Sequence, residues 1–425
     1  MTMNASYKKL CDFMWFAFLP SLSKAEEKAA FYRTILTDDG VDCFDPASPA
    51  SARDIAVRIF RDRFEESGTE KLRLGVTSGM DCRGLLGVAL EVLPPENIIA
   101  YTTGQKVNRD IERDRYFTDH ILPTHFLIET QGGTYDVDDW IKRFQARPEG
   151  TAGTLYGMKT QLTNPLKPYS SYPSMSGFLG DATSGKRLHG VWHDSWQDAL
   201  AAFAKKNEVF RPSTKRLVQT MVPEDYDPFS VLPKAPLLPQ EIMGYDDQLD
   251  MCYRQHQRIG INFIGDGGTA QHQSVRKGII TIYNDPRWQK SYLTMAPEER
   301  LGQAHYHRML KENWPRIFDD LVHPEDPRYA PEPEPKTPEE KLERSARTAL
   351  HTNWELLWTK NAQFNDFAHG LLSDLAERDV LYWLDVKGLI EEFDKNILGL
   401  GKMLWCLCSV ELNLRSSNIP VPERS

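Results

Sequence analysis

The residues with the clearest chemical potential lie in a short stretch that follows an apolar run. The run "LRLGV" at 72–76 leads directly into Thr77-Ser78-Gly79-Met80-Asp81-Cys82-Arg83. A strand followed at once by a helix points backbone N–H groups and the positive end of the helix dipole at an anion. Gly79 allows a close approach of the backbone, and the Ser78 hydroxyl can donate to a phosphate oxygen. The stretch therefore predicts a phosphate-binding turn.

Asp81 is the unexpected residue in such a turn, because a carboxylate repels a phosphate. A Mg²⁺ ion that bridges the carboxylate and the phosphate oxygens removes this conflict. We therefore expect Asp81 to be a ligand of Mg²⁺.

A second candidate is "GDATSGKR" at 180–187, which has the G-x-x-x-x-G-K spacing of a Walker phosphate loop. That loop needs a Ser or Thr after the Lys to hold Mg²⁺. Arg187 stands there instead, and Gly190 disfavours the long helix that should follow. The Gly-Lys ending is therefore interpreted as incidental, and a glycine-rich turn without function remains an alternative.

The elements around these residues alternate between strands and helices. Apolar runs predict strands at 72–76, 97–104 and 124–130, and amphipathic segments predict helices at 82–93 and 109–122. Such alternation implies right-handed crossovers and a parallel sheet. The predicted fold is a doubly wound α/β core, preceded by helices at 24–36 and at 51–66, the latter capped by Ser51.

Composition shifts divide the chain into five predicted regions. These are a helical N-terminal extension (1–50), the α/β core (51–195), a mostly helical part with a strand at 278–283 (196–328), a Pro/Glu-rich linker (329–344) and a helical C-terminal region (345–425).

The first motif resembles the S-G-G-x-D-S loop of the ATP-pyrophosphatase (adenine nucleotide α-hydrolase) superfamily, in particular the synthetase domain of asparagine synthetases. It departs from that loop at Met80 and Cys82. The segment "SYPSMSGFLGDATSG" at 171–185 is similar to the family's second loop, S-G-x-G-x-D-E. The resemblance implies that Ser176 and Gly177 contact the nucleotide, together with residues 77–79 and 81–83, and that Asp181 joins Asp81 at one Mg²⁺.

A later segment, 279–310, resembles the family's P-F-L-D region, with Asp285 ending a strand. In the family a Lys after this point contacts pyrophosphate. The candidates here are Lys290, Arg300 and Arg308, and the resemblance assigns catalytic roles to Arg300 and Lys290.

The resemblance implies an ATP- and Mg²⁺-dependent ligase that activates a small-molecule or sugar carboxylate as an acyl-adenylate for attack by an amine or ammonia. Such a reaction would belong to secondary metabolism or to surface-polysaccharide synthesis. Phe178 stands where asparagine synthetases keep a Glu that handles ammonia, and we expect no glutaminase domain. The nitrogen would then come from free ammonia, a substrate amine or a partner glutaminase. Thiolation-type chemistry and a degenerate, non-catalytic nucleotide-binding relative remain alternatives.

Composition excludes several other classes. The 425 residues are 40% hydrophobic and 26% charged, without an apolar run long enough for a membrane span. The apolar stretch at 10–22 is interpreted as a buried helix rather than a signal peptide. A net charge of −9 argues against nucleic-acid binding, and six scattered cysteines fit a reduced cytoplasmic protein. An oligomer is compatible with the sequence.

Histidines and cysteines offer weaker alternatives. His189 and His193, beside Asp194, could form a metal pair if helical, but a surface or supporting role is the preferred interpretation. His305 and His307 are expected at a helix surface or near a substrate. Cys82 could be a reactive thiol, although a replacement for Ser is preferred. Cys406 and Cys408 are expected in the core.

Overall fold

Across the residues that the structure describes, the protein has an α/β fold around a five-stranded parallel sheet. The computed structural model describes residues 5–77, 79–104, 121–129, 135–145, 152, 165–188, 192–208, 220–255, 278–318, 334–348 and 353–422. The strands are β1 (Leu72–Gly75), β2 (Ile98–Gly104), β3 (His125–Glu129), β4 (Ser174–Met175) and β5 (Ile279–Ile280). This confirms the predicted α/β class with a parallel sheet.

The strand order is β3-β2-β1-β4-β5, so the order reverses at β1. From β1 the chain builds outward through β2 and β3, and then returns to the other side of β1 with β4. Arg73 of β1 lies opposite Ile99 on one side and Ser174 on the other. In open parallel sheets, ligands bind beyond the carboxyl ends of the strands at such a reversal. The loops after β1 and β4 therefore meet where this fold class places its ligands.

Helices account for most of the remaining described chain. The longer ones are Ala5–Phe16, Leu22–Thr37, Pro49–Glu66, Met80–Leu90, Val137–Gln145, Trp196–Lys206, Pro286–Leu293, Ala304–Asn313, Pro338–Thr348, Trp354–Lys360, Ala362–Arg378, Val386–Asn396 and Gly401–Arg415. Short helical turns occur at Gly180–Thr183, Tyr245–Asp247, Pro297–Arg300 and Pro315–Phe318, and Gln248–Gln255 is π-helical. Short 3₁₀ segments lie at Pro95–Asn97, Lys167–Tyr169, Lys186–Leu188, Pro228–Val231 and Leu301–Gln303.

Most element predictions agree with the structure, and the differences have local causes. Helix Pro49–Glu66 begins before the predicted start at 51. Its cap is Ser48, whose side chain accepts a hydrogen bond from the backbone N–H of Ser51. The prediction of Ser51 as the cap was therefore wrong, because Pro49 suits the first helical turn and moves the start upstream. Most of the predicted helix at 109–122 falls outside the described residues.

Two large hydrophobic clusters organise the molecule. The first surrounds the sheet and includes Leu74 of β1 and Leu86 of helix Met80–Leu90. The second is built on the C-terminal helices and also contains Phe13 from the first helix, so the apolar stretch at 10–22 does supply a buried helix. Cys406 and Cys408 are fully buried there, as predicted. Helix Pro338–Thr348 begins inside the predicted linker.

Across the described ranges, no helix combines the length and the apolarity that crossing a membrane requires.

Candidate functional site

Asp81 lies at the start of the helix that follows β1. Helix Met80–Leu90 has Gly79 as its cap and Asp81 in its first turn. The Tyr306 hydroxyl donates to Oδ1 of Asp81 at 2.8 Å. The Tyr283 hydroxyl lies 3.2 Å from the Asp81 carbonyl oxygen and 2.9 Å from the Tyr306 hydroxyl. Two buried tyrosines thus hold the carboxylate and the backbone carbonyl of Asp81. The residue lies at a helix N-terminus, where the helix dipole favours negative charge.

The loop after β4 packs directly on Asp81. A Cβ atom added at Gly180 would lie 2.6 Å from Oδ1 of Asp81, and one added at Gly177 would lie 3.1 Å from its Cβ. A side chain at position 180 would therefore overlap the carboxylate. The two glycines let the backbone of the second loop approach this close. Next to Gly180 stands Asp181, the second residue of the turn Gly180–Thr183, and its side chain is partly exposed.

The charge of Asp181 acts on the carboxylate of Asp81. Burial, followed by the charge of Asp181, raises the pKa of Asp81 to about 7. The hydrogen bond from Tyr306, the charge of Lys186 and a backbone hydrogen bond from Asp181 act in the opposite direction. Lys186 also pairs with Asp181, with its Nζ atom 3.2 Å from Oδ2. The site therefore holds two neighbouring acids and one partly exposed cation.

This donor set fits Mg²⁺ bound together with phosphate. In the described part of the chain, no three or more His, Cys, Asp or Glu side chains gather in a group that could enclose a metal ion. Magnesium in phosphate-transferring sites commonly takes only one or two protein carboxylates and completes its shell with phosphate oxygens and water. A cation between Asp81 and Asp181 would also offset the repulsion from Asp181, which adds to the effect of burial in raising the pKa of Asp81.

The Walker interpretation of residues 180–187 gains no support from the backbone. Walker loops cradle phosphates with their N–H groups. Here the N–H groups of Thr183, Ser184 and Gly185 donate to Leu179, Gly180 and Ala182 within a helical turn. The segment therefore contributes side chains, Asp181 and Lys186, rather than a backbone cradle.

The other residues predicted around the nucleotide have varied settings. Thr77 is exposed, and its hydroxyl accepts the N–H of Gly79 at 3.2 Å. The Ser176 hydroxyl accepts the N–H of Phe178 at 3.3 Å. Cys82 is half-buried. The guanidinium of Arg83 lies over the ring of Phe318, 4.6 Å from its centre. Ser78 lies outside the described residues.

Lys290 and Arg300, predicted as catalytic, engage other groups. The Lys290 ammonium donates to the carbonyl oxygen of Asp38 at 2.6 Å. Arg300 is 1% exposed and bonds both carboxylate oxygens of Asp247, at 2.6 and 2.7 Å, and the Thr183 carbonyl oxygen at 3.1 Å. Both side chains thus have structural partners rather than contacts with the carboxylate pair.

Two further predicted residues also have structural partners. Arg308 pairs with Glu299 at the surface. Asp285 caps helix Pro286–Leu293, and its carboxylate pairs with Arg63 and Arg287.

Sequence reasoning missed the side chains that the fold brings to Asp81 and Asp181. Lys186 was set aside as incidental, although its Gly-Lys spacing was the available signal. Tyr283 and Tyr306 carried no local signal, because they come from distant segments. His305, expected near a surface or substrate, is instead fully buried, stacks on Phe44 and bonds the Tyr292 hydroxyl.

No protein-family model, curated protein or solved structure gives a significant match to this chain.

Proposed function

We propose that the chain is an ATP- and Mg²⁺-dependent carbon–nitrogen ligase on a doubly wound core of the ATP-pyrophosphatase type. The observation that supports this most is the pairing of Asp81 and Asp181. They come from loops after adjacent parallel strands, at the reversal of strand order, and one of them begins a helix. That combination suits a triphosphate with its cation.

Each residue has a defined task in this proposal. The N-terminus of helix Met80–Leu90 receives the phosphates, and Asp81 and Asp181 hold Mg²⁺, which supplies charge neutralisation when bound. Tyr306 keeps the Asp81 carboxylate in place. Lys186 is exposed enough to turn from Asp181 to a phosphate oxygen. Positioning and electrostatics of this kind account for most of the rate in such reactions.

The overall chemistry would proceed in two displacements. A substrate carboxylate oxygen attacks the α-phosphorus of ATP, and pyrophosphate leaves. The amine nitrogen then attacks the acyl carbon, loses a proton, and releases AMP as the amide forms. Phe178 cannot accept that proton, so the base must come from elsewhere.

A nucleotide-binding protein without catalysis is the second candidate. It is favoured by one observation: Lys186 already neutralises Asp181, and Tyr306 already bonds Asp81. A site satisfied in this way needs no metal for stability.

Pyrophosphate release separates the two candidates. The full chain would be incubated with ATP, Mg²⁺ and a panel of small carboxylates, with and without added amines. We expect pyrophosphate and AMP to form, and Asp81→Asn and Asp181→Asn each to lower the rate by at least about 100-fold.

The matched control is Asp39→Asn, which removes an exposed carboxylate far along the chain from either loop. It should leave the rate unchanged. Nucleotide binding without pyrophosphate release under all conditions would favour the non-catalytic candidate. Rates unaffected by Asp81→Asn and Asp181→Asn would exclude the proposed site.

A further inference from the structure

A separate cavity lies between helix Trp196–Lys206 and the π-helical segment Gln248–Gln255. Its volume is about 260 Å³. Pockets for drug-sized ligands usually exceed roughly 300 Å³. The cavity therefore suits a small metabolite.

The floor of the cavity is apolar and its polar groups are balanced in charge. Leu188, Ala199, Phe203 and Leu249 supply the apolar surface. Two carboxylates, Asp246 and Asp250, and two cationic side chains, Lys206 and Arg254, also line it. Arg254 and Asp250 lie 3.3 Å apart. Both signs of charge are therefore present on the cavity wall, where a ligand that carries both charges can pair with them.

His193 is held in one orientation by Asp246. The carboxylate accepts the backbone N–H of His193 at 3.0 Å and contacts its Nδ1 atom at 2.9 Å. An ionised carboxylate can only accept, so Nδ1 carries the hydrogen in this contact, and Nε2 keeps its lone pair whenever the ring is neutral. His193 can therefore accept a proton or a hydrogen bond from a ligand.

The π-helix is an independent sign that this wall is functional. π-helical turns are rare and occur frequently at functional sites. In this one, Leu249 and Arg254 stand five residues apart and line the same cavity. An α-helical register would rotate one of them away from the other.

We propose that this cavity binds a free α-amino acid with an apolar side chain. The carboxylate of the ligand pairs with Lys206 and Arg254, its ammonium group faces Asp246, Asp250 and His193, and its side chain packs on the apolar floor. His193 takes the proton that the ammonium must lose before its nitrogen can attack an acyl carbon.

A short connection links this cavity to the carboxylate pair. Leu188, on the cavity floor, ends the 3₁₀ turn that begins with Lys186. The assignment of the amino acid as the amine substrate rests on the proposed ligase function, whereas its binding does not.

Calorimetry on the full chain tests the binding, with leucine and methionine as probes. N-acetylleucine lacks the charge of the ammonium group, and leucinamide lacks the charge of the carboxylate. We expect both analogues to bind at least tenfold more weakly than leucine. Ala202→Phe should abolish binding by filling the cavity. Ala201→Phe, one residue away on the exposed side of the same helix, is the matched control and should bind normally.

Lysine variants provide a second matched pair. Lys206→Ala should weaken leucine binding by about tenfold, and Lys205→Ala, which removes an exposed neighbour outside the cavity, should not. The proposal is overturned if neither probe binds, if the analogues bind as tightly as leucine, or if Ala202→Phe binds like the unaltered protein.

A separate measurement of AMP formation tests whether the bound amino acid is the amine substrate. Leucine or methionine should increase AMP formation from ATP and a carboxylate in the unaltered protein, but not in Ala202→Phe. Binding without this increase would leave the amino-acid site standing and would contradict its role as the amine substrate.

Discussion

At the scale of single residues, Asp81 is a carboxylate whose pKa is strongly shifted by the fold. Its neighbours are a second carboxylate and a tyrosine hydroxyl, and burial is the main reason that its pKa rises to about 7. An acid whose pKa is raised by folding binds a proton in the native state that the unfolded chain has already released. Stability then falls as the pH rises between the two pKa values.

Asp81→Asn should therefore change stability in a pH-dependent way. As the pH rises from 3.8, the usual pKa of the carboxyl group, to about 7, the unaltered protein loses stability that the Asn variant keeps. We expect the free energy of unfolding of the variant, relative to the unaltered protein, to increase from about pH 4 to about pH 8 and then to level off. Urea unfolding without metal at several pH values measures this difference.

Asp39→Asn is the control, because that carboxylate is exposed. Its difference from the unaltered protein should stay flat over the same range. A flat difference for Asp81→Asn as well would show that Asp81 does not titrate near neutrality.

At the scale of elements, the contact between the two loops depends on the absence of a side chain at position 180. Gly180→Ala would place a Cβ 2.6 Å from Oδ1 of Asp81 and 2.8 Å from Cε2 of Tyr283. Overpacking of this kind costs about 1–3 kcal/mol. We expect a loss of that size in urea unfolding, together with weaker binding of Mg²⁺ and ATP by calorimetry.

Gly370→Ala provides the comparison for that substitution. Gly370 lies inside helix Ala362–Arg378, and nothing lies within 4 Å of the position of its Cβ. Alanine there should stabilise the protein by about 0.5–1 kcal/mol through helix propensity. If Gly180→Ala were equally harmless, the loops would not be in close contact in solution.

The elements also show which parts of the structure could be predicted. Strands β1 to β3 are apolar runs, so the hydrophobic pattern alone predicts them. Strand β4 is only Ser174–Met175 in a polar context, and the resemblance to a known loop indicated its neighbourhood where periodicity could not. The His193–Asp246 pair joins residues 53 positions apart, and local patterns carry no information about such contacts.

At the scale of the whole molecule, the two ends of the chain share one hydrophobic core. The sequence predicts a helical N-terminal extension at 1–50 and a helical C-terminal region at 345–425. In the structure, Leu10 and Phe13 are fully buried in the same cluster as Leu404 and Cys408. Which distant helices pack together depends on tertiary complementarity, which hydrophobic periodicity does not specify.

Phe13→Ala should therefore destabilise the protein far more than a substitution in a peripheral extension would. Removing a fully buried phenylalanine ring leaves a cavity and costs about 3–5 kcal/mol. Lys9→Ala, on the exposed side of the same helix, should change stability by less than about 0.5 kcal/mol. Denaturant unfolding measures both, and equal, small effects would contradict the shared core.

The buried ion pair of Arg300 and Asp247 connects the two proposed sites. Arg300 holds the carbonyl of Thr183, in the turn that begins with Gly180 and Asp181, and Asp247 directly follows Asp246, which orients His193. A ligand at one site that displaced this ion pair would also displace its contacts at the other site. If bound nucleotide changes the affinity for the amino acid by some factor, the bound amino acid must change the affinity for nucleotide by the same factor. Arg300, whose sequence context suggested a phosphate contact, would then couple the two proposed substrate sites.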